Sequence, residues 1–181
     1  MTESPKLAGL KIIPLKIFHD ERGFFLERYQ QERFAALDLP RNFVQDNHSR
    51  SKPGVIRGLH YQHSPAQGKL VGVIRGKIWD VVVDIRKDSP TFGEHQAFEL
   101  DDQSGIMLWV PGGFAHGFCV LGDGDADVIY KVDVPYSPLN EGGIAYNDPD
   151  LQIAWPVKYP IVSSKDQVLP SFKDYAKRAV F

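Results

Sequence analysis

The sequence predicts an all-β domain, either a sandwich or a barrel. Short apolar segments with period-two alternation recur along the chain, and clusters of Gly, Pro and Asp separate them at near-regular spacing. Only residues 31–37 have helical spacing, with Phe34 and Leu37 on one face. Many short strands with almost no helix are typical of these two architectures.

The clearest strand covers residues 77–86, where apolar side chains occupy alternate positions from Trp79 to Ile85. Asp80 and Asp84 lie on the opposite, mixed face. From residue 148 onward the chain carries four prolines, which predicts an irregular segment laid over the barrel. The other predicted strands cover residues 10–18, 23–29, 43–50, 55–62, 69–74, 106–110, 117–121 and 127–134.

The chain of 181 residues fits a single domain, residues 1–181, without a linker or a repeat. The net charge of -2 argues against a nucleic-acid or membrane-surface partner, since both usually need a basic bias. The single cysteine, Cys119, excludes an internal disulfide. The first ten residues lack the apolar run of a signal peptide, and residues 103–122 are interrupted by Pro111 and two glycines. We therefore expect a soluble cytoplasmic protein.

Two predicted strands have an unusual polar content. Residues 45–50 are polar on both faces, which fits either an exposed edge strand or a strand with one face in a polar pocket. In residues 55–62, strict alternation would place Arg57 and His60 on opposite faces of the strand. Gly58 lies between them, and glycine is the residue expected at a bulge that would bring both side chains to one face. A lone strand histidine is more often structural than catalytic, so this pattern alone leaves the role of His60 open.

Two further stretches place polar groups among apolar ones. The turn at residues 111–113 leads into a strand with Phe114, His116 and Phe118 on one face. A histidine on the interior face of a barrel needs a polar partner. Tyr130 shares a face with two valines, a position equally typical of a core tyrosine.

The histidine pattern disfavours a metal site. His60 and His63 are three residues apart and so lie on opposite faces of a regular strand. The position where a carboxylate ligand would be expected is occupied by Lys69, whose ammonium repels a divalent ion and offers no lone pair.

Seven stretches together resemble the dTDP-4-dehydrorhamnose 3,5-epimerase family. They follow one another in chain order from about residue 14 to residue 166, and their combination is far more specific than any one of them. The stretches are 20–25 (DERGFF), 43–49 (FVQDNHS), 57–62 (RGLHYQ), 67–71 (QGKLV), 80–86 (DVVVDIR), 113–118 (GFAHGF) and 164–166 (SKD).

The resemblance implies a cupin-like jelly-roll barrel, the double-stranded β-helix, with short helical and irregular C-terminal segments. It also implies the reaction: C3 and C5 of a dTDP-4-keto-6-deoxy sugar are inverted without a cofactor or a metal. The barrel core is expected at about residues 40–135, and residues 148–181 are expected over the barrel. Residues 1–39 are expected at the interface of a homodimer, reaching into the partner's site.

The resemblance also assigns roles to individual residues. His60 matches the base and Asp166 its orienting carboxylate, Tyr130 matches the acid on the other face, and Lys69 matches the cation near the C4 oxygen. Such a cation would stabilise an enolate as a metal ion would. The positions that match substrate-binding residues are Arg22, Glu27, Gln45, Asn47, Arg57, His116, Glu141 and Lys165, with Arg22 and Glu27 expected to serve the neighbouring subunit.

Some alternatives stay open at the level of sequence. An epimerase that inverts only C3 or only C5 would share the base and the fold. A metal-dependent cupin and an inactive sugar-binding cupin are further alternatives. Gly72 stands where many family members have an arginine. Nothing in the sequence shows whether Tyr61, Phe118 or Tyr136 contacts the nucleotide base.

Overall fold

The computed structural model describes all 181 residues, and most of its ordered backbone is in short strands. Three short helices complete the structure, α1 (Gln31–Ala35), α2 (Ser164–Gln167) and α3 (Phe172–Ala176). The strands are β1 (Thr2–Glu3), β2 (Lys11–Pro14), β3 (Ile17–Asp20), β4 (Gly23–Leu26), β5 (Gln45–Ser51), β6 (Val55–Gln62), β7 (Lys69–Arg75), β8 (Lys77–Asp84), β9 (His95–Asp101), β10 (Ile106–Val110), β11 (Phe114–Leu121), β12 (Ala126–Val132), β13 (Glu141–Gly143) and β14 (Ile161–Val162).

Two six-stranded sheets form the body of the molecule. The first sheet has the order β1-β2-β10-β7-β12-β5, and the second has the order β13-β6-β11-β8-β9 with β14 added beside β6. All pairs are antiparallel except β14 with β6. Strands β3 and β4 form a separate hairpin. The all-β prediction is therefore confirmed.

The main core lies between the two sheets and consists of 14 buried residues. Alternate positions of each central strand supply it, as period-two patterning requires. The first sheet contributes Val71 and Val128, and the second contributes Val82 and Phe118. The interior face of this barrel continues into the polar residues described below.

Each sheet is also covered on its outer face. The second sheet buries Val83 and Ile85 under the C-terminal segment, whose Tyr175 donates a hydrogen bond to the carbonyl of Ile85 at 2.7 Å. The first sheet buries Leu70 and Trp109 under the N-terminal segment, including α1. Covering layers explain why the outer faces of the central strands are apolar as well.

The structure differs from the sequence prediction in several places, and the short strands β1, β13 and β14 were not predicted. Strand β9 was not predicted, because at the edge of its sheet it contributes large apolar side chains only at Phe98 and Leu100. Strand β2 joins the first sheet by pairing with β10, so part of residues 1–39 belongs to the barrel. The C-terminal segment contains α2 and α3 within its irregular course. No helix of the protein is long and apolar enough to cross a membrane.

Candidate active site

A polar cavity of about 280 Å³ opens between the two sheets. The first sheet supplies side chains from β5, β7 and β12, and the second supplies them from β6 and β13. Six of the positions that the family resemblance singles out meet here. The residues that line the cavity are Gln45, Asn47, His60, Tyr61, Gln62, Gln67, Lys69, Tyr130, Tyr136 and Glu141.

A bulge in β6 brings Arg57 and His60 to the interior face. The register pairs His60 with His116 and Arg57 with Phe118, so Gly58 and Leu59 lie together opposite Gly117. Because His116 and Phe118 are two residues apart and share a face, their partners share it as well. Gly58 has a φ of +118°, and a Cβ there would lie 2.6 Å from the Cα of Gly117. The bulge predicted at this glycine is confirmed.

His60 forms a hydrogen-bonded pair with Asp166. Its Nε2 lies 2.7 Å from Oδ1 of Asp166, which is buried in α2. Ser163 caps that helix by accepting a hydrogen bond from the Asp166 amide at 3.1 Å, and the Gly58 amide donates to Oδ2 at 3.3 Å. Burial raises the pKa of Asp166, but the hydrogen bonds and the charge of His60 outweigh it and lower the pKa below its ordinary value. The carboxylate thus accepts a hydrogen bond from Nε2–H, which leaves Nδ1 with the free lone pair.

Lys69 and Tyr130 lie on the sheet opposite His60. Burial lowers the pKa of Lys69 to about 8, although the charges of Asp133 and Glu141 oppose this shift. Lys69 therefore keeps its positive charge at neutral pH. Burial raises the pKa of Tyr130, and the positive charge of Arg57 offsets part of that effect. The phenol stays protonated at neutral pH and can donate a proton.

A hydrogen-bonded chain borders the mouth of the cavity. Oε2 of Glu141 accepts hydrogen bonds from Lys165 at 2.5 Å and from the Tyr136 hydroxyl at 2.8 Å. These contacts outweigh burial and lower the pKa of Glu141. Gln45 donates to Asn47 at 2.8 Å and accepts from the Tyr136 amide at 2.9 Å. These contacts hold the polar groups at the mouth to one another.

A second depression, of about 380 Å³, lies beside the first, and His60 lines both. Arg57 and Lys165 supply its positive charge. The Arg57 guanidinium donates to Ser51 Oγ at 2.8 Å and to the Arg50 carbonyl at 3.2 Å, which fixes its direction. This depression has the charge and the fixed donors that an anionic group needs.

His116 lies on the interior face, as the sequence predicts, and has a polar partner. Its Nε2 is 2.7 Å from Oδ2 of the buried Asp80 on the neighbouring strand β8. The residues that line the cavity do not include His116, although His116 is the register partner of His60.

Arg22 and Glu27 do not line the cavity. Arg22 occupies the exposed turn of the β3–β4 hairpin and pairs with Asp20, while Glu27 pairs with Arg33 at 2.8 Å. Their expected role in a neighbouring subunit stays a prediction.

The three aromatic residues considered for contact with the nucleobase have different surroundings in the structure. Phe118 is buried in the core, and Tyr61 packs edge-on against Tyr175 and Phe181. Tyr136 lines the cavity and is 51% exposed. Tyr61 also lines the cavity, but Tyr136 is the more exposed of the two rings.

The sequence alone did not single out three residues at or beside the site, Gln62, Gln67 and Asp80. Gln62 and Gln67 lie within the quoted motifs 57–62 and 67–71, and their amides hold loop carbonyls beside the cavity. Asp80 lies within the motif 80–86. The Ser-x-x-Asp spacing of Ser163 and Asp166 is a helix-start pattern and could have predicted α2.

The arrangement is suited to proton transfer on both sides of a flat substrate. An imidazole with a carboxylate partner faces a phenol across the cavity, and a buried ammonium lies on the same side as the phenol. The base can remove a proton to form an enolate, the cation can stabilise the enolate oxygen, and the acid can return a proton from the other side. No group of three or more His, Cys, Asp or Glu side chains lies close enough together to hold a metal ion.

Comparisons with known proteins agree with this geometry. The dTDP-4-dehydrorhamnose 3,5-epimerase of Shigella flexneri is 52% identical over 163 residues, covering 89% of this chain and 90% of the relative. The dTDP-6-deoxy-D-glucose-3,5-epimerase of Legionella pneumophila, solved with dTDP-4-keto-L-rhamnose, superposes with a TM-score of 0.90 at 46% identity, covering 94% of this chain and 92% of that one. A dTDP-4-dehydrorhamnose 3-epimerase of Streptomyces niveus is 41% identical and covers 82% of this chain and 72% of the relative.

The family model for dTDP-4-dehydrorhamnose 3,5-epimerase matches residues 4–174, which is nearly the whole chain. The solved relatives share the cupin-like β-fold of this protein. The chain belongs to the dTDP-4-dehydrorhamnose 3,5-epimerase family.

Proposed function

We propose that this protein inverts C3 and C5 of a dTDP-4-keto-6-deoxy sugar, as in the formation of dTDP-L-rhamnose precursors. The observation that carries the proposal is His60 of one sheet, paired with Asp166 of α2 and facing Tyr130 and Lys69 of the other sheet. A sugar ring held between the sheets has a base on one face and an acid on the opposite face. That arrangement lets a proton leave one face of a carbon and another proton return on the opposite face, which inverts the carbon.

The proposed reaction begins when Nδ1 of His60 takes the proton from the carbon beside the C4 ketone. The electron pair of the broken C–H bond moves to the C4 oxygen and forms an enolate. The ammonium of Lys69 stabilises the negative oxygen. Tyr130 then donates its proton to the same carbon from the other face, and solvent restores both side chains. The sequence repeats at the second carbon on the other side of the ketone.

The remaining positions serve binding in this proposal. Arg57 and Lys165 line the depression beside His60 and bind the diphosphate. Tyr136 offers its exposed ring to the nucleobase, while the polar groups of β5 and β13 hold the sugar and the nucleoside. The binding set is Gln45, Asn47, Arg57, His116, Glu141 and Lys165, completed by Arg22 and Glu27 from a second subunit.

We also propose a homodimer with exchange of the N-terminal hairpin. The hairpin lies apart from both barrel sheets and exposes three phenylalanines: Phe18 is 50% exposed, Phe24 55% and Phe25 68%. A patch of this kind on a two-stranded hairpin fits an intermolecular contact. Sedimentation should show a dimer for the native protein and a monomer for a Phe24→Ser, Phe25→Ser variant with weakened dTDP binding. A native monomer with full dTDP affinity would contradict the exchange.

The only cysteine, Cys119, is buried and free, and burial raises its pKa to about 11. A protein without disulfides fits a reducing compartment. We propose the cytoplasm as its location.

Proton NMR in deuterated water tests the proposed activity. The protein is incubated with dTDP-4-keto-6-deoxyglucose without added metal, and the signals of C3–H and C5–H are followed. Deuterium at both carbons is the expected result, and a cognate reductase would then yield the rhamnose configuration. Exchange at one carbon would instead support the single-position epimerase that the Streptomyces niveus relative represents. No exchange at either carbon would refute the activity.

The activity should fall at alkaline pH because Lys69 loses its proton. Its pKa is about 8, so kcat/KM of the free enzyme is expected to decrease as pH rises through 8. Burial raises the pKa of Tyr130 above its ordinary value of 10.0, so the phenol does not titrate in this range. The pH–rate profile should therefore have a slope of about −1 above pH 8. A profile that stays flat to pH 9.5 would contradict the role of the ammonium.

A further inference from the structure

A second imidazole–carboxylate pair lies beside the first inside the barrel. His116 is the register partner of His60, and its Nε2 contacts Oδ2 of Asp80 at 2.7 Å. The Asp80 side chain is 0% exposed, and its other oxygen, Oδ1, has no hydrogen-bond partner. Its neighbours across the strands are Phe118 and Phe98. Asp80 is therefore not a structural carboxylate with both oxygens satisfied.

An incompletely satisfied carboxylate among aromatic side chains costs folding free energy. The contrast with Asp84, four residues further along β8, is informative. Asp84 is also buried, but both of its oxygens accept hydrogen bonds, from Arg86, Ser89 and Thr91. Asp84 is therefore explained by the structure that it holds together. The only side chain that Asp80 holds is His116.

We propose that Asp80 is a positioning residue, which keeps the proton of His116 on Nε2 and directs Nδ1 of that ring toward the substrate. The proposal rests on the proposed function in one respect, that His116 contacts the bound sugar nucleotide. A carboxylate oxygen accepts and an N–H donates, so contact with Asp80 places a proton on Nε2. Nδ1 is then the one ring nitrogen left for a ligand. The His116 side chain is 10% exposed, so solvent still reaches part of the ring.

The Asp80→Asn variant tests this role. The amide can donate a hydrogen bond to Nε2, which moves the proton of a neutral His116 to Nδ1. The nitrogen that faces the substrate then changes from a hydrogen-bond acceptor to a donor. We expect kcat/KM to fall about 10- to 100-fold, the size of loss seen when the carboxylate partners of metal-bound histidines are removed. Asp127→Asn is the control, since Asp127 lies on the outer side of the barrel, where it accepts two hydrogen bonds from Arg50 at 2.8 Å and lies 3.3 Å from His48. The control should keep native kinetics.

A double-mutant cycle shows whether Asp80 acts through His116. In a His116→Gln background, Asp80→Asn should have little further effect on kcat/KM. Equal losses in both backgrounds would overturn the proposal, as would native kinetics in Asp80→Asn.

Nitrogen NMR of the native protein keeps the proposal testable if Asp80→Asn fails to fold. With ¹⁵N-labelled histidine, the Nε2 of His116 should be protonated, and only the Nδ1 resonance should shift when dTDP or dTDP-glucose binds. A neutral His116 with its proton on Nδ1 would overturn the proposal. This result does not depend on turnover, so it is distinguishable from failure of the deuterium-exchange experiment.

Discussion

Replacing His60 with asparagine should abolish exchange at both C3 and C5. Asparagine keeps an amide that can hydrogen-bond to Asp166, but it has no nitrogen basic enough to take a carbon-bound proton. General base catalysis commonly contributes about 10²- to 10⁴-fold, so we expect kcat to fall at least about 10³-fold. Deuterium incorporation, followed by NMR at each carbon, measures the loss directly. The affinity for dTDP should change little because His60 acts on the sugar.

His48→Asn provides the matched control for that variant. His48 also faces an aspartate, Asp127 at 3.3 Å, but its side chain is 53% exposed on the outer side of β5. The control should exchange both carbons at the native rate. If His60→Asn still exchanged one of the two carbons, a second base would act at that carbon. The hypothesis that His60 is the base for both C3 and C5 would then be refuted. Persistent exchange at both carbons would refute His60 as the base.

Local patterning predicted the interior face of the barrel. Period two placed Phe114, His116 and Phe118 together, and the glycine at position 58 indicated the bulge that aligns Arg57 with His60. These predictions succeed because strand geometry and the conformational freedom of glycine depend on neighbours along the chain. Strand β5 proved to be both an edge strand and a strand whose alternate side chains reach the cavity.

Contacts between distant parts of the chain had no local pattern. Asp166 reaches His60 across 106 positions, because the C-terminal segment crosses the outer face of the second sheet. Only the family resemblance paired these two residues. Nor could spacing show that Lys165 and Tyr136 meet at one oxygen of Glu141. Such contacts depend on the path of irregular segments. The energies of turns and of packing together determine that path.

Departures from the family pattern can also be interpreted in the structure. Gly72 faces the outer side of the first sheet, where a Cβ would meet Met107 Cε at 3.1 Å. The substrate cavity lies on the opposite side of that sheet, with Lys69 and Tyr130. The absence of an arginine at this position therefore removes no group from the cavity.

Replacing Lys69 with methionine should have the second-largest effect. Methionine has nearly the same length and fills the same buried space, but it removes the positive charge opposite His60. Loss of one group that stabilises a developing oxyanion typically costs about 10²- to 10³-fold in kcat. We expect a loss of that size in the steady-state rate, with a much smaller change in KM, because the full negative charge develops on the C4 oxygen only along the reaction path.

Stability distinguishes this outcome from simple misfolding. Burial lowers the pKa of Lys69 from 10.5 to about 8, so the unfolded chain binds the proton more tightly than the folded protein does. At neutral pH the buried ammonium therefore opposes folding, and this cost disappears as pH rises from 8 toward 10.5. Lys69→Met removes the cost, so its thermal midpoint at pH 7 should equal or exceed the native value.

Lys131→Met supplies the control, because Lys131 lies on the outer face of β12 and pairs with Asp46 at 2.7 Å. It should keep native kcat and the alkaline decline in kcat/KM near pH 8. Lys69→Met should lose both the rate and that decline. If Lys69→Met retained most of its activity, the enolate would have to be stabilised by other donors. If it lost activity but kept the decline near pH 8, a different group would be responsible for the alkaline limb.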